Sequence, residues 1–218
     1  VLSTTIDKYM YISTHQFFDR SKIRCKYSIT ETVDKVADLQ HPILRTVLED
    51  FDVTGIEVSS IADIPGGTGM GSSSSFTVGL LHNINSYTGK EVSKEDLGAG
   101  ACRIEIDLLG EPIGKQDQYA AAYGGLNIIE FHPDGSVHVE PIEISEKTRA
   151  SLNDNLKLYY IGNQRSASKI LAEQKKNTYQ ADKFKALEKM VNLVYELKEV
   201  LVQGDLDTFG DLLHKNWL

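Results

Sequence analysis

A run of glycines followed by four serines is the segment that most constrains how this chain can fold. The glycine loop is Pro65-Gly-Gly-Thr-Gly-Met-Gly71, and the serines occupy positions 72–75. The alternating residues at 55–61 predict a strand before it, and apolar spacing from Phe76 to Ile84 predicts a helix after it. Successive glycines let backbone N–H groups converge on an anion, and a helix start adds free donors. The order strand, loop, helix therefore predicts a phosphate site.

The spacing inside the glycine loop excludes the two commonest phosphate motifs. A Walker A loop requires Gly-Lys-Ser/Thr, but no lysine lies between Asp63 and Lys90. A Rossmann fingerprint requires G-x-G-x-x-G, whereas the sequence here alternates as Gly67-x-Gly69-x-Gly71. Composition alone would also allow a flexible Gly/Ser linker. The position of the loop between a strand and a strongly apolar helix argues against that alternative.

Composition narrows the classes of function further. The 218 residues are 41% hydrophobic and 25% charged, with a formal net charge of -8. An acidic balance without a basic cluster argues against nucleic-acid partners, and the absence of an apolar run of about 18 residues argues against a membrane span. The two cysteines, Cys25 and Cys102, lie far apart, which indicates neither a disulfide framework nor a zinc site. We therefore expect a cytoplasmic globular protein.

Hydrophobic periodicity predicts strands in the first part of the chain and helices in the second. The predicted strands cover residues 2–12, 22–30, 55–61, 126–131, 137–142 and 156–161, and the predicted helices begin near Pro42, Ser72, Ser93, Ser145, Ser166, Phe184 and Asp205. Because predicted strands dominate before Ser145 and predicted helices after it, we place a domain boundary there, between residues 1–145 and 146–218.

The glycine loop resembles a known family motif. The segment Pro65-x-x-x-Gly69-Met70-Gly71-Ser72-Ser73-Ser74 resembles the second motif of the GHMP kinases, the superfamily of galactokinase, homoserine kinase, mevalonate kinase and phosphomevalonate kinase. Met70 replaces the usual leucine, a change that conserves volume. The wider context is similar to the subgroup that phosphorylates C1 of D-glycero-D-manno-heptose 7-phosphate, through residues 103–107, 114–125 and 162–168.

The resemblance implies a fold of the α+β class. It implies a two-domain GHMP kinase fold, in which an N-terminal half like ribosomal protein S5 domain 2 precedes a ferredoxin-like C-terminal half, here incomplete. The family also has one motif that would fall before Val1 and another that would fall after Leu218. We therefore interpret the chain as an interior portion of a kinase.

The resemblance further implies the residues that bind ATP and Mg²⁺. The hydroxyl of Ser73 and the carboxylate of Glu105 would bind Mg²⁺, which prefers hard oxygen ligands. Without the resemblance, Glu105 could equally be an exposed charge on a helix. ATP would be held by Pro65, Gly66, Gly67, Thr68, Gly69, Met70, Gly71, Ser72, Ser73 and Ser74.

The same resemblance implies roles in catalysis and in substrate binding. Asp117 would accept or orient the proton of the sugar hydroxyl, and Lys115 would help to keep that carboxylate ionised. Arg165 would bind the distal phosphate of the substrate, aided by the hydroxyls of Ser166 and Ser168. The alternatives are a solvated pair of loop charges for Asp117 and Lys115, and a surface ion pair for Arg165.

The resemblance thus predicts an ATP-dependent kinase that phosphorylates the anomeric hydroxyl of heptose 7-phosphate, or of a similar sugar phosphate, in nucleotide-activated heptose synthesis. Two alternatives stay open: a GHMP kinase for fucose or a mevalonate-like alcohol, and a protein that binds nucleotide or sugar phosphate without turnover. The joint presence of Ser73, Glu105 and Asp117 favours a kinase. The oligomeric state is open, with a homodimer among the alternatives.

Overall fold

The structure is a computed structural model that describes residues 1–159 and 167–217. The described chain forms two compact units. The loop unit comprises residues 6–123 and 167–171, and the hairpin unit comprises residues 1–5, 124–159 and 172–217. The division at residue 145 stays a prediction.

The loop unit is built on a four-stranded sheet of β2 (Met10–Gln16), β5 (Ile56–Ala62), β3 (Ile23–Lys26) and β4 (Thr30–Val33), in that order. Strand β5 pairs antiparallel with β2 and parallel with β3, and β3 pairs antiparallel with β4. The helices are α1 (Pro42–Asp50), α2 (Ser72–Tyr87), α3 (Lys94–Cys102) and α4 (Gln116–Tyr123), with a 3-10 turn at Val36–Asp38 and a π-helix at Arg103–Leu108.

The core of the loop unit lies between one face of this sheet and its helices. The apolar residues of β3 and β5 that alternate inward pack with the apolar faces of α1 and α2, so burial fixes the register of the sheet. The fully or almost fully buried members include Ile23, Cys25, Leu44, Leu48, Ile56, Val58, Leu80 and Ile84. This packing fixes the position of α2, whose first turn follows the glycine loop.

The hairpin unit holds a three-stranded sheet of β1 (Leu2–Thr4), β6 (Leu126–Phe131) and β7 (Val137–Pro141), in that order. The helices are α5 (Glu146–Asn155), α7 (Ala181–Gln203) and α8 (Leu206–Trp217), and α6 spans Ala167–Asn177. The core residues of this unit are Leu193, Leu197, Leu201, Phe209 and Leu212. The strands predicted at 126–131 and 137–142 are confirmed and pair as an antiparallel hairpin, and α7 ends at a left-handed Gly204.

Three predicted strands are wrong in part. The stretch 2–12 is two strands in different sheets, because Leu2 pairs with Ile128 whereas Met10 pairs with Ala62. The stretch 22–30 is divided by a turn in which the N–H of Tyr27 donates to the carbonyl of Ile29. Residues 156–159 form no strand, and the rest of that prediction lies outside the described residues.

Among the helices that the structure describes, none combines the length and the apolar character needed to cross a lipid bilayer.

The turn before β5 depends on Gly55. Its φ is +67°, and a Cβ built on it would lie 2.8 Å from the backbone oxygen of Arg20. The carbonyl of Gly55 also accepts a hydrogen bond from the N–H of Phe17 at 2.8 Å. The backbone of residues 17–20 therefore leaves no room for a side chain at position 55.

We expect Gly55→Ala to lower the free energy of unfolding, measured by urea denaturation, by more than the left-handed conformation alone costs, about 1–2 kcal/mol. Gly89→Ala is the matched control, because Gly89 has φ +75° but a Cβ there meets no described atom within 4 Å. Equal losses for the two variants would show that the contact with Arg20 does not constrain this turn.

Candidate active site

The glycine loop ends in a left-handed residue at the start of α2. Gly67 and Gly69 both have φ +76°, and Gly71, the residue before the helix, has φ +66°. This alternation of left-handed glycines explains why every second position in the loop is glycine. Gly71 has no side chain with which to cap the helix, so the first backbone donors of α2 stay available for an anion.

Glu105 lies in a π-helix that continues directly from α3. The helix predicted to begin near Ser93 was expected to continue through this segment as a regular α-helix. Instead the helix widens into π-helical geometry at Arg103–Leu108, where the N–H of Leu109 donates to the carbonyl of Ile104 at 3.0 Å. Such π turns are rare and often occur at functional sites. Glu105 is 1% exposed, so its interpretation as an exposed helix charge is wrong.

Three neutral groups donate hydrogen bonds to the buried carboxylate of Glu105. The hydroxyl of Ser73 donates to Oε1 at 2.5 Å. The hydroxyl of Ser74 donates to Oε2 at 2.9 Å, and the side-chain amide of Gln118 donates to the same oxygen at 2.6 Å. A buried carboxylate requires such donors because its loss of hydration is costly. The structure therefore brings together Ser73 and Glu105, the two groups predicted to bind Mg²⁺.

The donor chemistry of this pair fits Mg²⁺. Both groups offer hard oxygen atoms, and Oε1 of Glu105, which accepts a hydrogen bond from Ser73, has capacity for a second contact. Within residues 1–159 and 167–217, no cluster of three or more His, Cys, Asp or Glu could hold a metal alone. Mg²⁺ does not require one, because it commonly takes one or two protein groups together with waters and substrate phosphates.

Asp117 lies in the first turn of α4, directly beside the end of the glycine loop. A Cβ built on Gly71 would lie 3.5 Å from Cγ of Asp117. Asp117 is accessible to solvent, yet the protein around its carboxyl partly desolvates it. This desolvation, followed by the charge of Glu105, raises the pKa of Asp117, and a hydrogen bond with the Gln116 side chain opposes the shift.

The pKa of Asp117 moves upward, so desolvation and the charge of Glu105 together outweigh the groups that favour its ionised form. Lys115 is exposed and precedes α4, where its carbonyl accepts a hydrogen bond from the N–H of Tyr119 at 3.4 Å. Its predicted catalytic role stays a prediction.

Helix α4 is fixed to α3 by two tyrosines that share one carboxylate. The hydroxyls of Tyr119 and Tyr123 donate to the two oxygens of Glu95 at 3.0 and 2.9 Å. These bonds hold the helix that carries Asp117 and Gln118 against the helix that continues into Glu105. The relative position of the two predicted carboxylates therefore depends on this contact.

The contacts that Ser74 and Gln118 make with Glu105 were not predicted from the sequence. Ser74 is predicted to contact the nucleotide, but its side chain is buried and donates to Glu105. Helical spacing could have revealed this, since Ser74 lies on the buried face of α2 with Val78 and Leu81. Gln118 gives no such signal, because nothing in the sequence distinguishes a buried amide from an exposed one.

Of the three residues predicted to bind the distal phosphate of the substrate, the structure describes only one. Arg165 and Ser166 lie outside the described residues, and for Ser168 the structure gives a place in α6 alone.

Comparison with known proteins places this site in a family context. Residues 36–125 match the family model described as the GHMP kinases N terminal domain. That stretch contains the glycine loop, Glu105 and Asp117. The match therefore covers the part of the chain in which the geometry brings these residues together.

Two curated relatives are similar over most of this chain. A D-glycero-alpha-D-manno-heptose 7-phosphate kinase of Campylobacter jejuni is 28% identical over 197 residues, covering 88% of this chain and 58% of the relative. An L-fucokinase/L-fucose-1-P guanylyltransferase of Bacteroides fragilis is 28% identical over 212 residues, covering 91% of this chain and 22% of the relative. The chain thus spans less than two thirds of either relative.

Solved structures share the fold at lower identity. A D-glycero-D-manno-heptose 1-phosphate kinase from Bacteroides thetaiotaomicron superimposes with a TM-score of 0.82 and 22% identity, covering 100% of this chain and 69% of that one. A mevalonate kinase from L. major gives a TM-score of 0.67 and 17% identity, covering 99% of this chain and 66% of that one. Likeness at this identity confirms the mixed α and β fold, and the two-domain subdivision stays a prediction.

The raised pKa of Asp117 predicts that ionising this group opposes folding. A raised folded pKa means that the folded state binds the proton more tightly than the unfolded state, so stability is lost as pH rises from the unfolded pKa, about 3.9, through the folded pKa. We therefore expect Asp117→Asn to raise the melting temperature at pH 7, and the gain to shrink on acidification.

Asp134→Asn is a control that should change the melting temperature at pH 7 in the opposite direction. Hydrogen bonds from the hydroxyl and N–H of Ser136 lower the pKa of Asp134. The ionised Asp134 carboxylate stabilises the folded state at pH values above its unfolded pKa, and this stabilisation is lost as pH falls. The variant should therefore lower the melting temperature at pH 7. An Asp117→Asn protein that is less stable than wild type at pH 7 would contradict the account of this site.

Proposed function

We propose that this chain, whose residues 36–125 match the model of the GHMP kinases N terminal domain, belongs to an ATP-dependent kinase that phosphorylates the anomeric C1 hydroxyl of D-glycero-D-manno-heptose 7-phosphate or a similar sugar phosphate. The observation that carries the proposal is the bond between Ser73 and the buried Glu105, beside a glycine loop whose last residue, Gly71, lies next to Asp117. The heptose kinase relative supports the choice of substrate. The proposed location is the cytoplasm, where ATP is available.

Phosphoryl transfer requires positioning and charge stabilisation more than covalent chemistry. The first N–H donors of α2 and the glycine loop would bind the phosphates of ATP. Ser73 and Glu105 would hold Mg²⁺, which supplies positive charge to the phosphate oxygens. The neutral donors around Glu105 leave its full negative charge available to a cation.

Asp117 would accept the proton of the sugar hydroxyl. As the C1 oxygen forms its bond to the γ-phosphorus, the bond from that phosphorus to ADP breaks and the hydroxyl proton passes to the carboxylate. The raised pKa of Asp117 makes it a better proton acceptor than an ordinary aspartate, provided that it stays ionised at the working pH. The features that raise its pKa, desolvation and the nearby Glu105, thus support this role.

Arg165 would select a phosphorylated sugar. Its planar guanidinium suits phosphate, and Ser166 and Ser168 would add hydroxyls. This assignment follows from the family resemblance, since Arg165 and Ser166 lie outside the described residues.

A second candidate is a kinase for an unphosphorylated sugar such as L-fucose. The fucokinase relative is as identical to this chain, at 28%, as the heptose kinase relative. The two candidates share the glycine loop, the metal pair and the base. They differ in whether a phosphate-binding residue such as Arg165 is needed.

A substrate panel on the full-length protein tests the proposal. We expect ATP turnover with heptose 7-phosphate and a far lower kcat/KM with L-fucose and mevalonate. Asp117→Asn should lower kcat by about 10²–10⁴-fold with little change in the KM for ATP, because proton transfer contributes about that much. Turnover restricted to fucose would favour the second candidate, and nucleotide binding without turnover would show a binding protein.

Arg165→Ala tests the choice between phosphorylated and free sugars. We expect it to weaken binding of heptose 7-phosphate by about 2–5 kcal/mol, the range for truncating one partner of a buried charge pair, and to leave the unphosphorylated heptose unaffected. Arg149→Ala is the control, because Arg149 is an exposed arginine of α5 near Glu146. Equal losses for the two sugars would remove Arg165 from the phosphate site.

A further inference from the structure

We propose that Gln118 is a positioning residue, which orients the Glu105 carboxylate so that one of its oxygens is kept for Mg²⁺. The inference rests on the proposed function, because it concerns the metal site of that kinase. It assigns a role to a residue that the family resemblance leaves without one.

The two oxygens of Glu105 differ in the number and the burial of their donors. Oε2 receives the amide of Gln118 at 2.6 Å and the hydroxyl of Ser74 at 2.9 Å, and both of these residues are buried. Oε1 receives the hydroxyl of Ser73, which is exposed. Oε2 therefore has two buried donors, whereas Oε1 contacts the predicted metal partner.

A carboxylate on a flexible side chain does not keep such an orientation unaided. Rotation about its terminal bond would exchange the two oxygens unless one of them is held. Two donors on Oε2, from α2 and from α4, hold it from two directions. Groups that hold a metal ligand in this way affect metal affinity without touching the ion.

Gln118 itself is in an unfavourable environment, which argues against a purely structural role. It is 0% exposed, and its side-chain carbonyl oxygen has no hydrogen-bond partner among the described residues. An apolar side chain of similar volume would avoid this unmet acceptor. What such a side chain could not provide is the amide hydrogen bond to Glu105.

The position of Gln118 in α4 also couples it to the proposed base. Asp117 and Gln118 are adjacent in the first turn, and Asp117 lies against Gly71 whereas Gln118 reaches Glu105. One helix turn thus lies beside the end of the glycine loop and also donates to Glu105.

Metal titration of the full-length protein tests the inference. Mn²⁺ replaces Mg²⁺ as the probe, and binding is measured by electron paramagnetic resonance with saturating ADP. We expect Gln118→Met, which removes the donor at similar volume, and Gln118→Glu, which adds a like charge, to weaken Mn²⁺ binding by about 10–100-fold. Their affinity for ADP without metal should equal that of wild type, even though the loss of a donor to buried Glu105 lowers the melting temperature.

Gln203→Leu, an exposed glutamine at the end of α7, is the control and should bind Mn²⁺ like wild type. If wild type binds Mn²⁺ and both Gln118 variants bind it equally well, the positioning role is refuted while the proposed function stands. If metal affinity falls only together with metal-free ADP affinity, the role is structural and the inference is again refuted. If wild type binds no Mn²⁺ with ADP, the metal site of the proposed function is refuted, and the inference with it.

Discussion

The buried carboxylate of Glu105 is the interaction on which the candidate site depends. Three segments meet at it: the first turn of α2 through Ser73 and Ser74, the π-helix that carries Glu105, and the first turn of α4 through Gln118. A charge at 1% exposure would be costly without donors, so each of the three segments is held in place by the requirement to satisfy it. The glycine loop ends where α2 begins, so its position also depends on these contacts with Glu105.

Several features of the site oppose stability. Asp117 has a raised pKa beside Glu105, the carbonyl oxygen of Gln118 lacks a described partner, and α3 gives up its regular geometry at Arg103–Leu108. Natural proteins concentrate such departures from the most stable arrangement at functional sites. Here all of them surround one carboxylate. That clustering supports a site for a cation and for the transfer of a proton, which is how the proposed kinase would use it.

Some features of this site can be predicted from the sequence, and others cannot. The glycine loop and the start of α2 are predictable because left-handed positions require glycine and apolar spacing marks the helix. The pairing of Ser73 with Glu105 followed from the family motif and not from spacing. The π-helix, the burial of Ser74 and the bond from Gln118 were missed, because each depends on how α2, α3 and α4 pack. The strand expected at 156–161 failed at residues 156–159 for a simpler reason: an apolar run alone does not distinguish a strand from an exposed segment after a helix.

Ser73 and Glu105 are proposed to bind a divalent cation together with nucleotide phosphates at the start of α2. Calorimetric titration of the full-length protein with ADP, with and without Mg²⁺, measures this most directly in wild type and in Glu105→Gln. The account predicts that Mg²⁺ tightens ADP binding to wild type and has no such effect on Glu105→Gln. An equal effect of Mg²⁺ on both proteins would contradict it.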